Sequence, residues 1–357
     1  MKKYMAGYFD PRTMYHPESI LKWERGEYFP PVVAEISPTG KCNQKCRYCY
    51  NWKRTVHEHM DNDLLLRLPT ELKQAGVKAI LYQGDGEPLM HNKLAEVINS
   101  TDLSQTISTN GVLFTPAFQD KTLDKLKYMR FSVIDSSAER YAYQHDASEK
   151  QHAALVRNIE YAVKVRTKTM LMATVYLEPY SFDYAYDIVS FWKDIGLDYM
   201  LVMEASYCEF SPDGKRDFTS TYYTDKQIDK MKERVSKLND DNFIVRFSIP
   251  LNYLMTGTSA ETYRPGYCQG IKFETVITPA GDVIACWRGW GCPELSFGNL
   301  HKQSFEEIWK SERRQEITNR ILTTPPKGDA CKACNQYKNN SILNEYKERT
   351  EWANFLI

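Results

Sequence analysis

The chain has 357 residues, 42% of them hydrophobic, and its 46 lysines and arginines balance 46 aspartates and glutamates. This length accommodates one domain of about 200–250 residues and a smaller second one. No apolar stretch approaches the roughly 20 residues of a membrane-spanning helix, and the balanced charge argues against a nucleic-acid partner. We therefore expect a soluble protein of two modules.

Cysteine usage indicates the compartment. The chain has nine cysteines, an odd number, and its first ten residues are charged from Lys2 onward without the apolar core of a secretion signal. A disulfide framework is therefore disfavoured. In a reducing cytoplasm, which is the predicted location, clustered cysteines usually bind metal.

From Val32 to about Glu204, short β-type runs alternate with helical patterns, which is typical of βα units in a parallel sheet. Helical patterns include Leu64–Gln74, Lys93–Ile98 and Tyr184–Lys193. Six strands are predicted, at Val32–Ile36, Ala79–Gln83, Gln105–Thr109, Met129–Ile134, Met170–Tyr176 and Tyr199–Glu204. Ligands of such sheets bind at the carboxyl ends of the strands, so polar motifs there should converge.

The pattern changes after Cys208. A capping box at Thr224 predicts a helix, and Phe243–Ile249 reads as a strand. Beyond about Asn252 we expect a small separate α+β domain that ends in a helix near Ile342–Phe355. The predicted division is an N-terminal extension over 1–30, an α/β unit over 31–250 and a small domain over 251–357.

Three cysteines follow the first strand with C-x3-C-x2-C spacing: Cys42, Cys46 and Cys49. This spacing predicts an iron–sulfur cluster bound by three thiolates, one fewer than usual, which leaves one iron able to bind a small molecule. The alternative is a zinc site with a distant fourth ligand.

The motif resembles the C-x3-C-x-aromatic-C loop of the radical S-adenosylmethionine (SAM) superfamily, with Tyr48 as the aromatic residue. The resemblance implies a partial (β/α)6 barrel and a [4Fe–4S] cluster whose unique iron is chelated by SAM. It also implies reductive cleavage of SAM to a 5′-deoxyadenosyl radical, which abstracts a hydrogen atom from substrate.

Further motifs at strand ends resemble the SAM-binding segments of that superfamily. Gly84-Asp85-Gly86-Glu87-Pro88 is similar to its G-G-E motif, which receives the methionine amino group, although Asp85 replaces the first glycine. A tight turn with an exposed Glu87 is the alternative. The other residues that the resemblance assigns to SAM are Thr109 and Asn110 after the third strand, Ser132 on the fourth and Val175 behind the adenine on the fifth.

A second cysteine set lies in the C-terminal part. Cys268, Gly281 and Cys286 have C-x12-G-x4-C spacing, and Cys331-x2-Cys334 follows. The set is similar to the SPASM and twitch domains of radical SAM enzymes, and the resemblance implies one auxiliary [4Fe–4S] cluster with these four cysteines as ligands. The apolar residues Phe273, Val276, Ile277, Val283 and Ile284 flank Cys268 and Cys286 and favour a cluster; a structural zinc ribbon is the alternative.

Cys208 and Cys292 remain unassigned. Cys208 ends the sixth strand, where a thiol could return hydrogen to a substrate radical, as in some epimerases of the family; it could equally be a buried small hydrophobe. Asp135 and Glu204 fall near strand ends and are candidates for substrate binding. The histidines, His145 among them, receive no role.

These features predict a radical SAM enzyme that oxidises or epimerises a small molecule such as an amino sugar or aminocyclitol. Only about thirty residues precede Val32, fewer than a leader-peptide-binding domain needs, which favours a small molecule over a ribosomally made peptide. A non-catalytic electron-transfer protein is the alternative of another class. The implied partners are the substrate and an external electron donor such as flavodoxin or ferredoxin.

Overall fold

The computed structural model describes residues 12–49, 51–53, 57–132, 135–178, 181–204, 211–213, 223–247, 268–323, 340, 342–344 and 346. Its centre is one ten-stranded sheet with the order β10-β9-β8-β1-β2-β3-β4-β5-β6-β7. Strands β1 to β7 follow one another side by side and all pair in parallel. This is the predicted α/β architecture, a partial barrel rather than a closed one.

The six predicted strands are all present, with ends shifted by up to three residues. The parallel strands are β1 (Val33–Ile36), β2 (Ala79–Tyr82), β3 (Ser104–Thr109), β4 (Leu126–Ser132), β5 (Met170–Leu177), β6 (Tyr199–Glu204) and β7 (Ile244–Phe247).

Helices cover the outer face of the sheet. They are α1 (Pro17–Glu24), α2 (Asn62–Ala75), α3 (Leu94–Asn99), α4 (Pro116–Thr122), α5 (Ala138–His145), α6 (Glu149–Val165), α7 (Ala185–Ile195), α8 (Asp225–Ser236), α9 (Phe305–Lys310) and α10 (Glu312–Thr323). Their ends follow local sequence signals: Asp61 caps α2 by accepting a hydrogen bond from Leu64 N, and the predicted capping box at Thr224 opens α8. None of the described helices is long and apolar enough to span a bilayer.

The two faces of the sheet differ in chemistry. The helix-facing side carries fully buried apolar residues, such as Ile36, Ile107 and Phe131, that belong to the main core. The opposite, concave side carries polar residues along β1 to β4, where Arg130 donates a hydrogen bond from Nε to Ser108 Oγ at 3.0 Å and another to Gln83 Oε1. On β5 and β6 the same side carries a separate apolar cluster that includes Met172 and Leu201. Arg130 on β4 also interacts electrostatically with Glu35 on β1, three strands away. These four polar residues along β1 to β4 therefore share the concave side of the sheet, which is the side of the barrel lumen.

The C-terminal segment extends this sheet. Strands β8 (Glu274–Ile277), β9 (Asp282–Ile284) and β10 (Ser296–Asn299) form an antiparallel meander, and β8 pairs in parallel with β1 from Val33↔Glu274 to Ile36↔Ile277. The expected small domain is therefore joined to the barrel by main-chain hydrogen bonds. The predicted boundary at 250/251 lies outside the described residues and stays a prediction, as does most of the helix expected near Ile342–Phe355, of which 342–344 are helical.

Candidate cofactor site

The three N-terminal cysteines lie in a loop, residues 42–49, which we call the cysteine loop. It follows β1 and is docked on α5 by main-chain bonds from Lys45 N to His145 O (3.1 Å) and from Arg47 N to Gln144 O (2.9 Å). The buried Gln44 side chain donates to the Tyr141 hydroxyl at 2.8 Å. These contacts hold an irregular loop in one conformation.

The cysteine side chains are half-buried and close enough to influence one another's ionisation. Burial, the Glu87 carboxylate and Cys49 raise the pKa of Cys42 to about 12. Burial together with Cys49 and Cys42 raises the pKa of Cys46 well above its usual value. Three thiolates here are stable only beside positive charge, which iron ions supply.

Three thiolates are the donor set expected of an iron–sulfur cluster with one iron left open. Within the described ranges, no three histidine, cysteine, aspartate or glutamate side chains are placed to hold one metal ion. A lone zinc needs its sulfurs about 3.8 Å apart, as tetrahedral Zn–S bonds of about 2.3 Å dictate, whereas the sulfurs around a cubane bind different irons.

The glycine-rich segment after β2 packs directly against the entry to the cysteine loop. Gly86 N donates to Thr39 O at 3.0 Å and Glu87 N donates to Lys41 O at 2.9 Å. A Cβ atom on Gly86 would lie 2.2 Å from Lys41 O, and one on Gly84, whose φ is +145°, would lie 2.5 Å from Ser37. Both positions therefore require glycine, because any side chain would push the two motifs apart.

The Glu87 side chain is buried, with 3% exposure, and the alternative of a turn with an exposed glutamate is therefore excluded. One carboxylate oxygen accepts from the Thr109 hydroxyl (2.5 Å) and Leu89 N (3.1 Å), and the other accepts from Asn110 N (2.8 Å). Burial nevertheless raises the pKa of Glu87 to about 7. The Glu87 oxygen that accepts from Asn110 N can accept a further hydrogen bond, for example from an ammonium group.

The motif after β3 connects this carboxylate to the cysteine loop. Asn110 donates from Nδ2 to Asn43 Oδ1 at 2.7 Å, and its own Oδ1 accepts from Val112 N at 3.0 Å. Thr109 and Asn110 thus both contact Glu87, and Asn110 also contacts the cysteine loop. Three motifs that are up to 67 residues apart in sequence form one polar site at the carboxyl ends of β1, β2 and β3.

The remaining predicted SAM residues divide between the two faces of the sheet. Ser132 lies two residues after Arg130 on β4, so both side chains face the lumen. The Ser132 side chain is half-buried. Tyr48 lies with its ring centroid 5.3 Å from that of Tyr176 on β5. Val175 is fully buried in the helix-facing core, so its side chain points away from the lumen that Ser132 faces. The adenine contact expected of Val175 stays a prediction, and it would have to involve the main chain.

One residue of the site had no role in the sequence analysis. His145, the last residue of α5, places Nδ1 3.0 Å from Cys46 Sγ. Burial, and secondarily His152, lowers the pKa of His145 to about 3, so its imidazole is neutral. The buried Nε2 has no hydrogen-bond partner among the described residues, which places the proton on Nδ1, since an unpaired acceptor costs less than an unpaired donor. When Cys46 is ionised as a cluster ligand, this tautomer lets His145 Nδ1 donate a hydrogen bond to the Cys46 sulfur.

We expect His145→Phe, which keeps a ring against Tyr141, to lower the reduction potential of the bound cluster by on the order of tens of millivolts. The reason is that a hydrogen bond to a ligand sulfur withdraws charge and favours the reduced cluster. A redox titration followed by electron paramagnetic resonance measures this shift. His145→Asn, which can still donate a hydrogen bond, should restore part of it; equal potentials in all three proteins would contradict the assigned hydrogen bond.

The second cysteine set is described in part. Cys268 precedes a short 3-10 turn and accepts a hydrogen bond from the buried Asn340 side chain at 3.5 Å. Cys286 follows β9, and Gly281 between the two cysteines occupies the β8–β9 turn with φ +81°, a conformation that favours glycine. Cys331 and Cys334 lie outside the described residues, so the four-cysteine site stays a prediction.

The apolar residues around this set are buried as expected, but they do not form one shell. Val276 and Ile284 pack with Trp290 in one cluster, Ile277 and Val283 belong to the main core, and Phe273 packs with Trp23.

Three other candidates remain, of which the structure describes the side chain of one. Asp135 is fully buried and makes a two-pronged ion pair with Arg140 (2.6 and 2.7 Å), so it braces the start of α5. Cys208 and the side chain of Glu204 lie outside what the structure describes, and their proposed roles stay predictions.

Comparisons with known proteins agree with the geometry. The radical SAM superfamily model matches residues 36–191, and the model of the SPASM iron–sulfur cluster-binding domain matches residues 268–335. The chain therefore contains a radical SAM domain and, in its C-terminal region, an iron–sulfur cluster-binding domain of SPASM type. Its cofactors are SAM and iron–sulfur clusters of the [4Fe–4S] type.

Individual relatives are distant. GTP 3′,8-cyclase of Clostridium perfringens (strain SM101) is 24% identical over 231 residues, which are 61% of this chain and 67% of the relative. PqqA peptide cyclase of Xanthomonas euvesicatoria is 23% identical over 324 residues, which are 85% of this chain and 80% of the relative. The crystal structure of Streptococcus suis SuiB bound to S-adenosylmethionine has a TM-score of 0.65 at 16% identity and covers 89% of this chain and 73% of SuiB; this likeness concerns the fold.

Proposed function

We propose that this enzyme cleaves SAM reductively and uses the resulting 5′-deoxyadenosyl radical to abstract a hydrogen atom from a polar small molecule. The observation that supports the proposal most directly is the convergence of the cysteine loop, the glycine-rich segment and the Thr109-Asn110 pair around the buried Glu87. The cluster and SAM supply the radical when bound.

The protein's own residues hold and orient these groups. Cys42, Cys46 and Cys49 are the proposed thiolate ligands. The Glu87 carboxylate, held by Thr109 Oγ1 and Asn110 N, accepts the methionine ammonium group. Gly84 and Gly86, followed by Pro88, let the main chain approach closely, and Ser132 and Tyr48 lie on the side that faces the lumen.

The lumen supports a polar substrate. Glu35, Gln83, Ser108 and Arg130 form a hydrogen-bonded and charged floor below the site, where hydroxyl or amino groups can be recognised. Amino sugars and aminocyclitols present such groups. After hydrogen abstraction, loss of an electron to the auxiliary cluster and of a proton to solvent would complete an oxidation. Return of a hydrogen atom from a thiol such as Cys208 would complete an epimerisation and leave a thiyl radical, which one electron from the external donor and one proton would restore.

A peptide is the second candidate substrate. It is favoured by the match to PqqA peptide cyclase over 85% of the chain and by the likeness to SuiB bound to its precursor peptide, with a TM-score of 0.64. In this case the substrate radical would lead to cyclisation or another change within the peptide.

The deciding experiment is anaerobic reconstitution followed by reduction with dithionite in the presence of SAM. Formation of 5′-deoxyadenosine is the expected result, and candidate small molecules and peptides should increase it above the uncoupled rate. A reconstituted protein with both clusters that forms no 5′-deoxyadenosine with any candidate would favour an electron-transfer role instead.

A further inference from the structure

The outer surface of the cysteine loop and the segment after it is strongly basic. Within residues 37–57 the sequence has five lysines and arginines and no aspartate or glutamate, although the whole chain is neutral. Five basic or titratable side chains of this surface are exposed, and the half-buried Trp52 lies among them. We call this surface the basic face; its members are Lys41, Lys45, Trp52, Lys53, His57 and His59.

Contacts show that the basic face is continuous. Lys45 Nζ lies 5.6 Å from the centroid of the Trp52 ring. The centroids of the His57 and Trp52 rings are 5.1 Å apart. His57 Nδ1 in turn contacts Gly40 O at 3.2 Å. Lys41 is close enough to His59 to lower the pKa of that imidazole, after the larger effect of burial. Glu58, between His57 and His59, is an exposed acid at the edge of the basic face.

The basic face is also the outer wall of the cluster site. Lys41 directly precedes Cys42 and Lys45 directly precedes Cys46, and both lysines are exposed to solvent. Arg47 lies on another side of the loop, where it pairs with Asp213 at 3.2 Å. A molecule bound to the basic face would therefore approach the cluster without entering the lumen, where the substrate is expected.

We propose that the basic face is the docking site of an acidic protein that carries single electrons. This inference rests on the proposed function, because each reductive cleavage of SAM consumes one electron from outside the chain. The carrier is oxidised by one electron and the cluster is reduced by one, with no bond made or broken in this step. Complementary charge would steer the carrier to this surface and fix its orientation, and Trp52 adds an apolar contact at its centre.

The test compares two reductants with the reconstituted full-length enzyme. Lys45→Glu/Lys53→Glu reverses two charges of the basic face. Lys125→Glu/Lys127→Glu is the matched control, since these exposed lysines lie at the start of β4, at the opposite end of the sheet. The rate of 5′-deoxyadenosine formation is measured with reduced flavodoxin as the acidic carrier, over a range of flavodoxin and salt concentrations, and separately with dithionite.

We expect the apparent KM for flavodoxin to rise at least tenfold in the Lys45→Glu/Lys53→Glu protein at low salt and to stay within twofold in the control. The wild-type KM should rise with salt, and this dependence should be weaker in the basic-face variant, because fewer charge contacts remain to be screened. The iron content should match the wild type. The dithionite-driven rate of each protein is the reference to which its flavodoxin-driven rate is normalised.

Equal KM values in all three proteins, or a wild-type KM that is independent of salt, would overturn the proposal. The proposal would also be overturned if the Lys45→Glu/Lys53→Glu protein kept its affinity for flavodoxin but lost binding to RNA or to anionic vesicles. That result would assign the basic face to another partner. Absence of 5′-deoxyadenosine with dithionite in the wild type would instead refute the proposed function, so the two failures are distinguishable.

Discussion

Cys42→Ala is expected to abolish 5′-deoxyadenosine formation and to reduce the iron content of the reconstituted protein from about eight to about four per chain. Cys42 is one of three thiolates proposed to hold the SAM-binding cluster, and two thiolates do not retain a cubane. Iron analysis and the electron paramagnetic resonance spectrum of the reduced protein, with and without SAM, measure the loss.

Two further variants make this experiment specific. Cys268→Ala should also leave about four irons, but it should retain SAM cleavage, because the remaining iron then belongs to the cysteine loop. Cys292→Ala is the matched control: this cysteine is half-buried, as Cys42 and Cys268 are, and belongs to neither proposed ligand set, so all of the iron should remain. Unchanged iron in Cys268→Ala, accompanied by bound zinc in the wild type, would contradict the auxiliary cluster.

Glu87→Gln is expected to weaken SAM binding roughly 10- to 150-fold at pH 7.5, since hydrogen bonds to charged groups contribute about 1.5–3 kcal/mol. An amide also leaves one of the three donors, Thr109 Oγ1, Asn110 N or Leu89 N, without an acceptor. Equilibrium binding to the reconstituted, oxidised enzyme avoids turnover. Glu96→Gln, on the exposed side of α3, should bind SAM as the wild type does.

The same carboxyl group predicts a pH dependence. Burial raises the pKa of Glu87 to about 7, and only the ionised form attracts an ammonium group. SAM affinity should therefore rise several-fold between pH 6 and pH 7.5, and fall above about pH 8 as the α-amino group of SAM loses its proton. In Glu87→Gln, SAM affinity should not rise between pH 6 and pH 7.5. A rise of the same size in this variant would show that another group causes the pH dependence.

The sequence was sufficient to locate the candidate cofactor site. Alternation of apolar residues placed the strands, and the motifs after β1, β2 and β3 fall at strand ends, where parallel topology makes them converge. The structure confirms that Glu87, Asn110 and the cysteine loop meet. What the motifs could not specify is the burial of Glu87, because a glycine-rich turn with an exposed carboxylate has the same local pattern.

Other features depend on contacts that local sequence does not encode. The hydrogen bond between His145 and Cys46 joins residues 99 positions apart and exists because the cysteine loop docks on α5. Side chains along β5 point alternately to the lumen and to the helices, so a shift of the strand by one residue would reverse the direction of the Val175 side chain. The pairing of β8 with β1 is equally non-local, and the apparent change of pattern near Asn252 suggested a more separate C-terminal unit than the sheet shows.

The position of β8 has a consequence for how the chain folds during synthesis. Strand β1 is made first but receives one of its two neighbours only after Ile277 has emerged, so most of the barrel is translated while one edge of β1 lacks its partner. An unpaired edge is a template for pairing with other chains. Removing the C-terminal strands would leave that edge open permanently, and aggregation, rather than a soluble barrel lacking only its auxiliary domain, is the outcome that this topology favours.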